Sequence, residues 1–180
     1  FQAWWGCART TNSGDAVPPE ARLASRSGER STKARTSRYP YANADASHTS
    51  TYLWRPVLGV LSKLGARRVL DLGCGNGAFA ARLAEAGVQV TGCDPSEAGV
   101  RIARQAHPPL RFEQLGVYED PLLLGTEAYD AIVALEVIEH LEAPRELPRF
   151  AALLLRSGGS LVVTTPYHGY LKNLALSFGN

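Results

Sequence analysis

The chain has 180 residues, of which 45% are hydrophobic and 20% charged, with a formal net charge of +2. That length and composition predict one soluble-type domain able to bury its own core, and no apolar run approaches the ~18 residues that a membrane-crossing helix needs. Residues 1–38 hold seven Lys/Arg against three acids, a net of +4 that leaves −2 on the remainder, so the folded part is not a basic nucleic-acid platform.

The first 38 residues show little periodic hydrophobicity and many turn formers, and are read as a disordered or non-native leader, residues 39–180 being the folded unit. Their Arg/Ser/Thr content also suits the rear of a transit peptide, and the absence of Met means that Phe1 is not expected to be a natural start. The three cysteines, Cys7, Cys74 and Cys93, have neither disulfide-framework nor zinc spacing, which points to a reducing, cytoplasmic setting.

From Tyr39 the texture changes. Leu53, Val57, Val60, Leu61 and Leu64 recur at helical spacing and predict a helix over 47–64, with Pro56 either kinking it or marking its first turn. A regular alternation follows. The first strand is read over 67–72, a glycine loop over 73–77 and a helix over 78–86 stopped by Gly87. The second strand takes 89–93, and Ser96 caps a helix running to Ala106. The third strand takes 110–115, a short helical turn 120–124 and the fourth strand 129–135. A helix over 145–155 and a Gly158-Gly159 turn lead to the fifth strand, 160–164. Strands alternating with helices specify an α/β fold, a doubly wound and mostly parallel sheet with helices on both faces.

The segment Val69-Leu70-Asp71-Leu72-Gly73-Cys74-Gly75-Asn76-Gly77 carries the most chemistry. It is a strand-to-helix turn whose glycines accept positive φ and put no Cβ in a ligand's way, ahead of the free N–H groups of a helix start. Gly73, Gly75 and Ala78 also satisfy the dinucleotide fingerprint, so a nicotinamide-dependent oxidoreductase is a rival. Asp71 separates the two: a fixed anion there repels a pyrophosphate and suits the ammonium of an amino-acid nucleoside. Asp94 ends the second strand 23 positions later, where a carboxylate accepts both ribose hydroxyls; its other reading is a turn residue before Pro95. The backbone at Gly116 and Val117, with Tyr118, follows the third strand and is either an adenine pocket or a plain loop.

Together with Tyr129-Asp130-Ala131-Ile132-Val133-Ala134-Leu135-Glu136-Val137-Ile138-Glu139-His140-Leu141, these residues resemble class I S-adenosylmethionine-dependent methyltransferases, and among them the ubiquinone-biosynthesis O-methyltransferase group. The resemblance covers residues 39–172. It implies a Rossmann-like sheet of seven strands, of which this chain would lack the C-terminal antiparallel hairpin, leaving its fifth strand as an open edge and its cofactor binding weak. It implies an S-adenosylmethionine site at Asp71, Gly73, Cys74, Gly75, Gly77, Asp94, Pro95, Val117 and Leu135, with Glu136 and His140 on the reacting side.

It also implies a divalent cation, Mg2+ or another, held by Glu136, Glu139 and His140. Positions i, i+3 and i+4 share one helix face, and two carboxylates with an imidazole suit such an ion. The other reading has Glu136 lining the methionine pocket, Glu139 facing solvent and His140 acting as a base. Small-RNA 3′-terminal 2′-O-methyltransferases carry a similar block, but with a further histidine where this chain has Leu141, which weakens the RNA reading. The implied activity is methyl transfer to an oxygen of a small catechol-like molecule; a non-catalytic cofactor-binding protein is the remaining alternative. His48 with Tyr52, preceded by Tyr39 and Tyr41, and His168 after the fifth strand are candidate lid or substrate contacts, with aromatic packing or a surface loop as the plainer readings.

Overall fold

The computed structural model describes residues 6–9, 51–126 and 128–166. In chain order the elements are β1 (Gly6–Arg9), α1 (Thr51–Leu64), β2 (Arg68–Leu72), α2 (Ala78–Glu85), β3 (Gln89–Asp94), α3 (Glu97–Ala106), β4 (Arg111–Gln114), β5 (Tyr129–Leu135), α4 (Glu146–Leu154) and β6 (Leu155–Thr164). Short 3-10 turns occupy Pro121–Leu124 and Ile138–His140. The sheet order is β1-β6-β5-β2-β3-β4. The five strands from β2 to β6 are parallel, and β1 is antiparallel to β6.

Alternation along the strands divides the core into two layers. Leu70, Leu72, Ile132 and Ala134 face Leu147, Phe150, Ala151 and Leu154 of α4. Val69, Ala131 and Val133 face Val57 and Leu61 of α1, Phe79 and Leu83 of α2, and Val100 and Ala103 of α3. This is the doubly wound arrangement the alternation predicts, because strands covered on both faces need apolar residues at odd and even positions alike.

Two expectations fail at β6. The Gly158-Gly159 turn does not precede the strand but lies inside it: the register steps from Tyr129↔Leu155 to Ala131↔Ser160, and the surplus residues form an irregular excursion with Gly158 at φ 74. The β6 edge is also not open. Gly6–Arg9, within the stretch read as disordered, pairs along Ser160–Val163, so its backbone satisfies the edge groups expected to be bare. Pro56 sits inside a continuous α1 rather than at its first turn.

At the amino end of the strands, Asp130 ties three elements together. Its Oδ2 accepts the N–H groups of Arg67 and Arg68 at 2.9 and 2.8 Å, and Oδ1 accepts Arg156 Nε at 2.6 Å. Burial alone would raise its pKa, but the Arg68 and Arg67 amides and the Arg156 guanidinium outweigh it and bring it down to about 2. The carboxylate therefore stabilises the fold fully above its unfolded pKa near 4, and that contribution disappears as pH falls through about 2. Asp130→Ala is expected to cost on the order of 2 kcal/mol at pH 7, with the gap between mutant and parent melting temperatures closing between about pH 4 and pH 2.

Candidate functional site

The chain winds outward from β2 in both directions, to β3 and β4 on one side and to β5 and β6 on the other. The carboxyl ends of β2 and β5 therefore flank the switch point of the sheet, where open α/β sheets hold their ligands. Asp71, the glycine loop, Leu135 and Glu136 all lie there, with Asp94 one strand away.

The glycine loop is tied to the end of β3. The N–H groups of Gly73 and Cys74 both donate to the Cys93 carbonyl, at 2.8 and 3.0 Å, and Gly75 N–H donates to Asp94 Oδ2 at 2.9 Å. Asp94 Oδ1 accepts Ser96 N–H at 2.8 Å. Burial raises the pKa of Asp94, against the pull of the Ser96 and Gly75 amides. Each of its oxygens keeps a lone pair for a further donor.

Glycine is required at two loop positions for different reasons. At Gly73 (φ 82) an added Cβ would collide with Val137 Cγ2, so this glycine lets the residues after β5 close against the loop. At Gly77 (φ 81), the residue before α2, a Cβ would lie 2.8 Å from Phe112 Cζ and 2.9 Å from Ala103 Cβ, so this glycine seats α2 against α3 and β4. Cys74 turns its thiol into the core with Phe79, while its carbonyl accepts Gly77 N–H at 2.9 Å.

Asp71 is 2% exposed, and its Oδ2 has no hydrogen-bond partner. Burial, then the Asp94 charge, push its pKa up to about 7 against an opposing bond from the Ala80 amide. A buried acceptor left unsatisfied is costly, and next to a second carboxylate it is a site where a cation is favoured. That orphaned oxygen fits the positively charged cofactor that the family resemblance implies.

On the far side of Asp94, Pro95 packs on the backbone after β4: a Cβ at Gly116 would lie 3.2 Å from Pro95 Cβ. Val117 is buried just beyond. Pro95, Gly116 and Val117 thus come together as an apolar surface beside Asp94. Tyr118 has a separate tie, its hydroxyl accepting Ala143 N–H at 3.0 Å.

The Glu136, Glu139 and His140 block is not gathered as the spacing argument requires. A shared face at i, i+3 and i+4 needs a helical turn running through all three. Glu136 instead has φ 57, and Ile138–His140 is a 3-10 turn, so the i, i+3, i+4 face never forms. Glu139 and His140 are exposed, and although both charges are felt at Glu136, no three His, Cys, Asp or Glu side chains among the described residues converge closely enough to hold a metal ion. The donor set does not fit the implied cation.

Glu136 is held by Thr164, a residue that no motif singles out. Its N–H reaches both the carbonyl and Oγ1 of Thr164, at 3.2 and 3.1 Å, and Thr164 Oγ1 donates to Glu136 Oε1 at 3.0 Å. The available signal was a threonine ending a buried strand, Leu161-Val162-Val163-Thr164, at the ligand edge. Tyr52 stands at the start of α1, its phenol pKa raised by burial and by the Glu136 charge. His48, Tyr39, Tyr41 and His168 lie outside the described residues.

A family profile described as a methyltransferase domain matches residues 26–177. The chain belongs to that family. Within it, the chain is 32% identical over 114 residues to a ubiquinone biosynthesis O-methyltransferase of Alkalilimnicola ehrlichii, covering 58% of this chain and 44% of that protein. It is 35% identical over 109 residues to the protein of the same name from Bordetella avium, covering 57% and 44%. This methyltransferase domain therefore spans less than half the length of those curated relatives. Among solved structures, an S-adenosylmethionine dependent methyltransferase from Mesorhizobium loti superposes with a TM-score of 0.56 at 28% identity, covering 63% of this chain and 53% of that one. Among the described residues no helix is long and apolar enough to cross a membrane.

Proposed function

We propose that this methyltransferase domain binds S-adenosylmethionine and serves methyl transfer to an oxygen of a small, catechol-like acceptor. The observation that carries the reading is the pair of carboxylates around the glycine loop, Asp71 with an unpartnered buried oxygen and Asp94 strapped to Gly75. A pyrophosphate would meet both negative charges; an amino-acid nucleoside with an ammonium and a ribose is complementary to them. The names of the curated relatives support oxygen as the acceptor atom.

In this reading Asp71 faces the ammonium side of the cofactor, and the backbone of Gly73, Cys74, Gly75 and Gly77 makes room for its methionine arm. Asp94 takes the ribose hydroxyls, while Pro95, Val117 and Leu135 contribute apolar contact. The bound cofactor supplies an activated methyl group, so the chain's main task is alignment of the acceptor. Glu136, with His140 beyond it, lines the acceptor side. No step is assigned to a divalent cation, because the side chains that would hold one are not assembled. In this reading the domain acts on a small molecule rather than a nucleic acid. The buried free thiols of Cys74 and Cys93 suit a cytoplasmic setting.

Calorimetric titration with S-adenosylhomocysteine and with NADH tests the cofactor. Binding of the first and not the second is expected; the reverse result refutes the reading. Transfer of a labelled methyl group from S-adenosylmethionine to catechol then tests the acceptor class.

A further inference from the structure

Among the described residues, Glu136 is the one non-glycine residue with positive φ. A glutamate in the left-handed region is strained, and glycine would occupy the position at lower cost. The strain is maintained by Thr164, which is fully buried at the end of β6. Its hydroxyl accepts from the Glu136 amide at 3.1 Å and donates to the Glu136 carboxylate at 3.0 Å, engaging backbone and side chain of the same residue. A valine would fill the same volume without a polar group to satisfy. A charged residue kept in a strained conformation, with a dedicated partner for its carboxylate, at the carboxyl end of a central strand, is the pattern of a functional constraint rather than of packing.

The geometry points to Thr164 as a positioning residue: through its two side-chain hydrogen bonds it fixes the Glu136 carboxylate at the mouth of the crevice, where the other carboxylate oxygen accepts a hydrogen bond from the acceptor's hydroxyl. This rests on the methyl-transfer reading above and adds how the acceptor is aligned. Glu136 is the group that touches the acceptor, and Thr164 acts only through it.

Thr164→Val removes both side-chain bonds at constant shape, and Thr164→Ser restores the hydroxyl. Three measurements separate the possibilities: S-adenosylhomocysteine affinity by calorimetry, steady-state methylation of catechol, and hydrogen exchange of the Glu136 amide. In Thr164→Val the Glu136 amide keeps the backbone carbonyl of residue 164 as an acceptor but loses the hydroxyl, so it should exchange modestly faster, kcat/KM for catechol should fall by about 10-fold or more, and cofactor affinity should stay within about 2-fold. Thr164→Ser should recover most of the catechol activity, which a merely structural role would not require. Unchanged kcat/KM in Thr164→Val alongside faster Glu136 exchange, or no recovery in Thr164→Ser, overturns the inference while the methyltransferase reading stands. A parent chain that binds S-adenosylhomocysteine but neither binds nor methylates catechol overturns the placement of the acceptor at Glu136. A parent chain that does not bind S-adenosylhomocysteine overturns the reading beneath it.

Discussion

Asp94→Ala should weaken S-adenosylhomocysteine binding by about 100-fold or more, since at least two hydrogen bonds to a charged acceptor are lost and each contributes on the order of 1.5–3 kcal/mol net. The effect has two sources. The ribose hydroxyls lose their acceptor, and the loop loses the strap from Gly75 N–H to Asp94 Oδ2 that shapes it before any ligand arrives. Asp94→Asn keeps one carbonyl oxygen and should fall between, at about 10-fold, because an amide accepts at one end only. Adenosine carries the ribose without the methionine arm, so its affinity should fall by the same factor as that of S-adenosylhomocysteine. Calorimetry on the three proteins with both ligands checks this. Equal affinities for parent and Asp94→Ala would refute the ribose assignment, and a loss confined to S-adenosylhomocysteine would move Asp94 to the methionine end.

Much of this arrangement was legible in the sequence because it is set by local rules. The glycine loop reads directly from Asp71 to Gly77, since positive φ at Gly73, Gly75 and Gly77 is a backbone demand that only glycine meets cheaply. Ser96 as the cap of α3 is equally local, its Oγ accepting Gly99 N–H at 3.2 Å. The two-layer core follows from central strands whose apolar residues fall at successive positions, Val69-Leu70 in β2 and Ala131 to Leu135 in β5. What the sequence does not display is geometry set by distant partners. Glu136 follows a strand and precedes a turn, so spacing alone suggests helical continuation; in its left-handed conformation it is hydrogen-bonded to Thr164, 28 positions away. The β6 edge is covered by Gly6–Arg9, a four-residue strand in a segment with no hydrophobic period to announce it. The Gly158-Gly159 pair reads as a turn, and only the register against β5 shows it as an excursion within one strand.

The second large effect concerns Asp71 and has opposite signs in the empty and the loaded protein. Burial and the neighbouring Asp94 raise its carboxyl from an ordinary value near 4 to about 7 in the folded state. The folded state therefore holds the proton more tightly than the unfolded one. The stability this provides is fully present below the unfolded pKa near 4 and is lost as pH rises through about 7, amounting to at most on the order of 4 kcal/mol. Asp71→Asn keeps the shape and cannot ionise, so the empty protein should lose that pH dependence and melt higher than the parent at pH 8. A cation beside the unpartnered Oδ2 reverses the preference, because it favours the ionised carboxylate. Parent affinity for S-adenosylhomocysteine should then rise as pH increases through about 7, while Asp71→Asn binds more weakly and with little slope across the same interval. Melting curves of the empty proteins and calorimetry at pH 6, 7 and 8 read the two signs separately. A variant that melts lower than the parent at pH 8 would contradict the buried-charge account, and one that binds S-adenosylhomocysteine as tightly as the parent at pH 8 would remove Asp71 from the cofactor site. The carboxylate is thus retained at a cost to the empty fold, a cost relieved by a positively charged ligand.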